Sequence, residues 1–514
     1  MSAFGLTTTK RRRTLASKEQ FRTSWGASVT TADIATLRAT MTGRVLVPGD
    51  GDYDEARKVW NAAIDRRPAV IAQCESAADV SAAVQYATAH DLEIAVRGGA
   101  HSVSGHSVVD DGMMIDLSGL NDVAVDPEAR RARVGGGALL GDVIAVAQDH
   151  GLAYPVGAVS HTGVGGLTLG GGMGWLTRKH GLSIDNMISA EVVTADGRIL
   201  VANEKNNADL FWAIRGGGGN FGVVTQFEFT LHPVGPMVHF AMLFWPLDMG
   251  RDVLLRARDV VGALPAEVNV IVAGLNAPPA PFVPEQHHFT PGYATIVVGF
   301  GTEQEHQDVL AQLAQAGPRL FEFATPMPYL ALQQMLDEAN AWGNYDYDKA
   351  CYVEDLTDGV IDTIVEHVPR KSSPMSLALF YRLDGAYSAV DDDATAFSGG
   401  RTPRYNLFTI AVAPTPDLLD ADRTWVRELD AALAPHTIDR TYVNGLEDDG
   451  IEDRVRAAYG PEKYERLAAI KHKYDPDNVF RRNANIKPTV TVPSPRQVDL
   501  TESETSATRT SPGR

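Results

Sequence analysis

The chain has 514 residues, 44% apolar and 22% charged, with a formal net charge of −19 and only two cysteines, Cys74 and Cys351. That length allows two or more domains with cores of their own. The acidity argues against nucleic acid as a partner and against a polybasic membrane anchor, and two cysteines cannot build a disulfide framework or a thiolate zinc site.

Near the start, the basic run at residues 10–13 is followed by polar residues, not by the apolar stretch that an export signal needs. No run is long and apolar enough to span a bilayer. The expectation is a cytoplasmic protein with both cysteines reduced and buried. Residues 1–40 read as a weakly patterned extension. PAVIAQC (68–74) reads as a buried strand, Ser76 as the cap of a helix with Val80, Val84 and Ala87 on one face, and EIAVRGG as the next strand. This is a β-α-β unit, whose strands should be parallel. Three short strands follow over 113–137, then a helix around 139–152, and a hairpin with Asp196-Gly197 as a two-residue turn. A helix, a glycine loop and a strand alternating through Val223, Thr225, Phe227 and Phe229 complete the first part. The pattern is α+β. After the boundary at 232–236, strand-like pieces such as VHFAMLFWP, NVIVAGL and RYNLFTIAVAP mix with helices, which predicts an antiparallel sheet covered by helices. The segment 441–488 is richer in charge, and the Ser/Thr/Pro-rich end is expected to be disordered.

Glycines carry the strongest local signal. TGVGGLTLGGGMG (162–174) holds seven. Such density fits backbone that approaches a ligand closely, with N–H groups turned to phosphate oxygens, or simply a set of tight turns. Residues 217–222 match G-x-G-x-x-G, but a helix precedes the glycines and a strand follows, the reverse of a Rossmann site. His101, His106 and His161 show no metal-ligand spacing, and Ser160 lacks the G-x-S-x-G context of a hydrolase. On the residues alone, His101 reads equally well as a buried histidine satisfied by a partner.

Together, VRGGAHSVSGHS (96–107), TGVGGLTLGGGMGWLTRKHGLSIDN (162–186), FWAIRGGGGNFGVVTQFEF (211–229), TYVNG (441–445) and KYDPDNVFRRNANI (473–486) resemble the berberine-bridge-enzyme-like FAD-linked oxidases, of the vanillyl-alcohol-oxidase or PCMH type. The resemblance implies an FAD-binding domain (41–236) completed by a C-terminal return (441–490). A substrate domain (237–440) lies between them, with an extension (1–40) and a tail (491–514) outside. It implies a histidine, here His101, bonded to the 8α-methyl of FAD. Many relatives add a cysteine bond at the position of Val159, so a single covalent link through His101 and a narrower site are expected. FAD contacts are implied for Arg97, Gly98, Gly99, Ala100, Ser102, Gly105 and His106 in the first loop. In the second they fall on Thr162, Gly163, Gly166, Gly170, Gly171, Gly172, Gly174, Trp175, Gly181, Asp185 and Asn186. Gly222, Val223 and Val224 follow, with Asn444, Asn483 and Asn485 near the C-terminus.

The implied activity is hydride transfer from a C–H bond of a small-molecule alcohol, sugar or amine to the flavin, with O2 as acceptor because Thr162 is small. A cyclase or dehydrogenase of secondary metabolism and a flavin-binding protein without turnover are the alternatives. Tyr442 is the candidate base, although Gly445 stands where relatives often carry a second aromatic. Tyr381 and Arg382 are further active-site candidates, of which only one can face the pocket because neighbours on a strand point to opposite sides. No metal, nucleic-acid or membrane partner is expected, and the chain is expected to be a monomer or homodimer.

Overall fold

The computed structural model describes residues 20–22, 28–438, 440–446 and 451–489. The basic run at 10–13 and the tail from 491 lie outside them. The stretch expected as an extension ends in a helix, Thr31–Thr40, closed by a capping box between Thr30 and Asp33. Its Ile34 and Leu37 pack into the core of the first sheet. Only two large apolar residues in ten, Ile34 and Leu37, gave too weak a periodicity to reveal it.

That first sheet holds β1 (Val45–Leu46), β2 (Val70–Gln73), β3 (Ile94–Arg97) and β4 (Met113–Asp116) in the order β1-β2-β4-β3. Helix α1 (Ala77–Ala89) links β2 to β3 and begins where the Ser76 side chain accepts the Asp79 N–H at 3.1 Å. Strands β2 and β3 are parallel as the β-α-β pattern requires, but each pairs with β4, which lies between them. The second sheet holds β5 (Val123–Asp126), β6 (Arg131–Gly135), β7 (Met187–Val193), β8 (Ile199–Asn203) and β9 (Val223–Thr230), ordered β8-β7-β9-β6-β5. The β7–β8 connection is not a two-residue turn. Thr194 N–H reaches Arg198 O at 3.0 Å across a three-residue loop, with Gly197 at φ +81°. A left-handed glycine at the end of such a loop is the signature of the bulged hairpin.

The segment expected as a substrate domain (237–440) is built on a seven-stranded antiparallel sheet. Its strands are β10 (Met237–Pro246), β11 (Val268–Asn276), β12 (Pro291–Gly299), β13 (Phe321–Pro328), β14 (Tyr345–Val353), β15 (Leu377–Leu383) and β16 (Arg404–Ala413). Their order is β13-β10-β12-β11-β15-β16-β14. Strand alternation sorts the side chains. Leu243, Trp245, Val270, Phe380 and Leu407 turn to a core shared with α2 (Gly250–Val261), α3 (Glu303–Leu313), α4 (Asp358–His367) and α5 (Pro416–Leu433). Phe240, Met242, Ile271 and Ile296 turn the other way, toward the first domain. Helix α6 (Pro461–Tyr474) then brings the chain back against the glycine loops. Among the described residues no helix is long and apolar enough to cross a membrane.

Candidate active site

The inner face of the large sheet and the glycine loops of the first domain enclose a cavity of about 910 Å³. The loops can close on it because they touch where they lack side chains. A Cβ on Gly99 would strike the backbone nitrogen of Gly163, and one on Gly163 that of Gly99. At Gly166, by contrast, a Cβ would meet nothing within 4 Å, so the backbone there borders open space.

His101 stands in the cavity wall between those loops. Ala100 before it adopts a left-handed backbone, φ +58°, sparsely populated for any residue with a Cβ. Its carbonyl accepts the Trp60 N–H at 3.1 Å. The Trp60 ring stacks on the His101 imidazole with centroids 4.8 Å apart. His101 Nε2 lies 2.6 Å from His161 Nδ1. Burial, and secondarily the neighbouring His161, hold the pKa of His101 down to about 3, so the ring is a neutral imidazole.

Tyr442 lies where the two halves of the cavity meet. Its Oη accepts the Gly172 N–H at 3.4 Å and the Asn444 Nδ2–H at 3.0 Å. Burial raises its pKa above the ordinary phenol value, and these two donors oppose the rise. Phe408 stands edge-on to both Tyr442 and Tyr381, at 6.4 and 5.9 Å between centroids. Tyr381 faces the cavity from β15, with its phenol pushed up to about 12 by burial. Arg382, the next residue, points to the other side of the sheet. Its Nε–H donates to Asp384 at 3.2 Å and its guanidinium lies over the Tyr405 ring. The expectation of an active-site role for Arg382 is corrected by strand alternation: only Tyr381 reaches the cavity.

Of the other expected cofactor contacts, Gly98, Gly99, Ala100, Ser102, His106, Val159, Thr162, Gly163, Gly166, Trp175, Gly222, Val223, Val224, Asn444 and Asn483 border the cavity. Arg97, Gly105, Gly170, Gly171, Gly172, Gly174, Gly181, Asp185, Asn186 and Asn485 do not; several of them shape the loops from behind. Arg97 pairs with Asp116 at 3.1 Å. Asp185 receives Arg401 through both guanidinium NH groups, at 2.7 and 2.8 Å. Asn186 donates to His180 O and Leu182 O, both at 2.9 Å. Asn444 also donates to Gly166 O and Leu167 O. Wall residues that the sequence reading left out include Asn220, which donates to Gly217 O and Ala484 O and so ties the C-terminal return to the third glycine loop. Asn220 sits inside GGGGNFG, the one polar side chain in that run. Trp60 and Arg482 were missed as well.

Residues 68–203 match the model of an FAD binding domain, and residues 441–487 match that of "berberine and berberine like". (R)-6-hydroxynicotine oxidase of Paenarthrobacter nicotinovorans is 30% identical over 471 residues, 87% of this chain and 97% of that one. The FAD-linked oxidoreductase pgmH of Aspergillus terreus is 31% identical over 494 residues, 89% and 96%. The chain belongs to the berberine-bridge-like FAD-linked oxidoreductases. Among solved structures, 6-hydroxy-D-nicotine oxidase from Arthrobacter nicotinovorans superposes with a TM-score of 0.77 at 28% identity, covering 87% of this oxidoreductase and 98% of its own chain.

The residues present fit FAD. Among the described residues, the Lys, Arg, His, Asp and Glu side chains that border the cavity from the glycine loops and the C-terminal return are His101, His106 and Arg482, with no carboxylate among them. A diphosphate needs that balance. Asn483 Oδ1, Trp175 Nε1 and Ser107 Oγ are buried in this part of the wall without a protein partner. Buried polar atoms are normally satisfied, and a polar cofactor would satisfy these. FAD can therefore be held in this oxidoreductase by the loops at 98–107, 157–169 and 218–224 and by residues 482–484.

Proposed function

We propose that this FAD-linked oxidoreductase is an oxidase that takes a hydride from a C–H bond of an apolar small molecule. We further propose that it returns the electrons to O2 as H2O2 and holds FAD by one covalent bond from a ring nitrogen of His101. Bound FAD supplies the hydride acceptor and the route to O2. The protein supplies the rest. The observation that carries the reading is Tyr442 at the junction of the two cavity halves, its Oη gripped by two N–H donors. Ionised to the phenolate, Tyr442 would take a hydroxyl or amine proton, and the Gly172 and Asn444 N–H groups that donate to its Oη stabilise the negative charge it carries until the proton arrives.

The wall opposite the glycine loops is built from Phe240, Met242, Ile271, Leu379, Phe408 and Ile410, which excludes water and suits an apolar substrate. His101 supports the tether as a neutral, nucleophilic imidazole. A second link through cysteine has no support, since Val159 stands at that place and neither Cys74 nor Cys351 borders the cavity. The small Thr162 leaves room for O2, and the relative named as an oxidase points the same way.

Anaerobic mixing with a panel of alcohols and amines is expected to bleach the flavin with at least one of them, and air is expected to restore the colour with release of one H2O2 per cycle. Restoration only by an added electron acceptor would make the protein a dehydrogenase. A ring in the product would make it a cyclase, and no bleaching across the panel would remove the oxidative reading.

A further inference from the structure

We propose that Asp348 is the subsite for a cationic nitrogen, so that the substrate of this site is an apolar amine and not a neutral alcohol or a sugar. The inference rests on the oxidase reading and narrows its substrate class. Asp348 lies on β14, at the edge of the large sheet, where it pairs in register with Ile410. Both residues border the cavity, and so does Phe408, opposite Ala350 one step further on. Ala350 in turn reaches the Tyr442 turn, its carbonyl accepting the Thr441 hydroxyl at 2.9 Å. The carboxylate therefore stands along the wall from the reacting end, as a group that grips one part of a substrate while another part reacts.

Three observations give the site its charge preference. Asp348 Oδ1 is buried and has no partner in the protein. A carboxylate in that state is costly unless a donor or a cation arrives to pair with it. Next, among the described residues no lysine, arginine or histidine borders the cavity from the substrate domain, whereas two acids do, Asp348 and Glu338. The basic residues nearby are otherwise engaged. Lys349 points to the other face of β14 and pairs with Asp430 at 2.9 Å. Lys371 donates to Asn276 and Ser373 without itself bordering the cavity. Finally, Asp346, two residues back on the same face of β14, is a second buried acid with an unpartnered Oδ2. Burial, with Asp346 as a smaller cause, raises the carboxyl of Asp348 to about 7. The arrival of a cation would return it to the ionised form. The substrate-domain wall, apolar with acids and no cationic side chain among its described residues, attracts a hydrophobic cation and repels a carboxylate or phosphate.

The test uses the FAD-loaded enzyme and three probes of one length: 4-phenylbutylamine, 4-phenylbutanol and 4-phenylbutyrate. Each is titrated anaerobically at pH 7.5 while the flavin absorbance is followed, whether the flavin is perturbed or bleached. The amine is expected to bind at least about tenfold tighter than the alcohol, and the carboxylate more weakly than either. In D348N the ratio of amine to alcohol affinity should fall to within about threefold, the loss expected when a charge-assisted bond becomes a neutral one. Equal binding of amine and alcohol by the wild type overturns the proposal, and so does an amine preference that survives in D348N or a flavin that none of the three perturbs. The wild-type comparison decides even where D348N does not fold. An amine preference without bleaching by any compound sinks the oxidase reading and leaves the subsite standing. Bleaching by alcohols without an amine preference does the reverse.

Discussion

At the residue scale, His101 and Tyr442 owe their chemistry to what holds them. An imidazole kept neutral by burial is a nucleophile at any ordinary pH. His161 takes up its Nε2, which in the proposed tether leaves Nδ1 for the flavin. His101→Ala should therefore give a denatured band without flavin fluorescence. His161→Leu should lower the fraction of flavin that stays with the band by about tenfold or more while non-covalent FAD still loads, because a lost hydrogen bond of roughly 1.5 kcal/mol also frees the ring to turn. A denaturing gel read by fluorescence beside total FAD absorbance separates the two effects, and equal retention in wild type and His161→Leu would leave His161 without a role in the tether. Tyr442→Phe removes the proposed proton acceptor but keeps the ring against Phe408 and Phe397. Its anaerobic bleaching rate should drop by about 10²–10⁴-fold with FAD content unchanged, the range typical for loss of a general base. A loss below about fivefold, too small for a general base, would remove Tyr442 from that role.

At the scale of elements, β14 shows both a stability device and the reach of sequence reading. Burial raises the Asp346 carboxyl to about 7. Its unfolded value is about 3.9, so the folded state holds the proton more tightly. The sign follows: the contribution to stability is fully present below about pH 4, is lost as pH rises toward 7, and stays lost above it. Asp346→Asn should therefore gain on the wild type between pH 5 and pH 8 by ~2 kcal/mol, less than the full shift would give because Asp348 titrates beside it. Any cost of the new amide is the same at both pH values and cancels in the difference. Urea unfolding at the two pH values measures it, and a constant gap between the proteins would show that Asp346 is ionised throughout. Nothing in YDYDKACYV announces this. Alternation can be read from the sequence, but which face meets the cavity depends on where the helices pack, and that is set by residues far along the chain. The same uncertainty left Tyr381 and Arg382 unresolved. The glycine loops were legible because each lies in one unbroken stretch, with its spacing and order intact. The substrate wall was not, since it takes alternate residues from several strands, none of them a motif.

At the scale of the whole molecule, the site exists only because distant segments are pinned to one another. Asp185 and Arg401 join the second glycine segment to the substrate domain through a buried pair. At the other end, Lys471 on α6 is fully buried with Asp475 at 2.6 Å. Its Nζ also donates to Asn220 O at 2.7 Å and Phe480 O at 2.8 Å. One ammonium thus fastens the C-terminal return, with Asn483 just beyond it, to the third glycine loop. Burial lowers the pKa of Lys471, and Asp475 opposes that fall, so the charge persists because the pair is intact. Lys471→Met would leave Asp475 as an uncompensated buried carboxylate, eased only by the N–H groups of Val479 and Phe480. The expected cost is ~3 kcal/mol, the low end for a broken buried pair. FAD should be lost along with stability, since Asn220 and Asn483 lose their common anchor. Lys471→Met with Asp475→Asn removes both charges and should recover most of the melting temperature, because a buried pair replaced as a unit is often neutral. FAD affinity should recover less, as the ties to Asn220 and Phe480 stay absent. Melting curves of the apo and FAD-loaded proteins measure both quantities, and full recovery of FAD affinity in the double variant would show that Lys471 acts through charge balance and not by fastening the two segments.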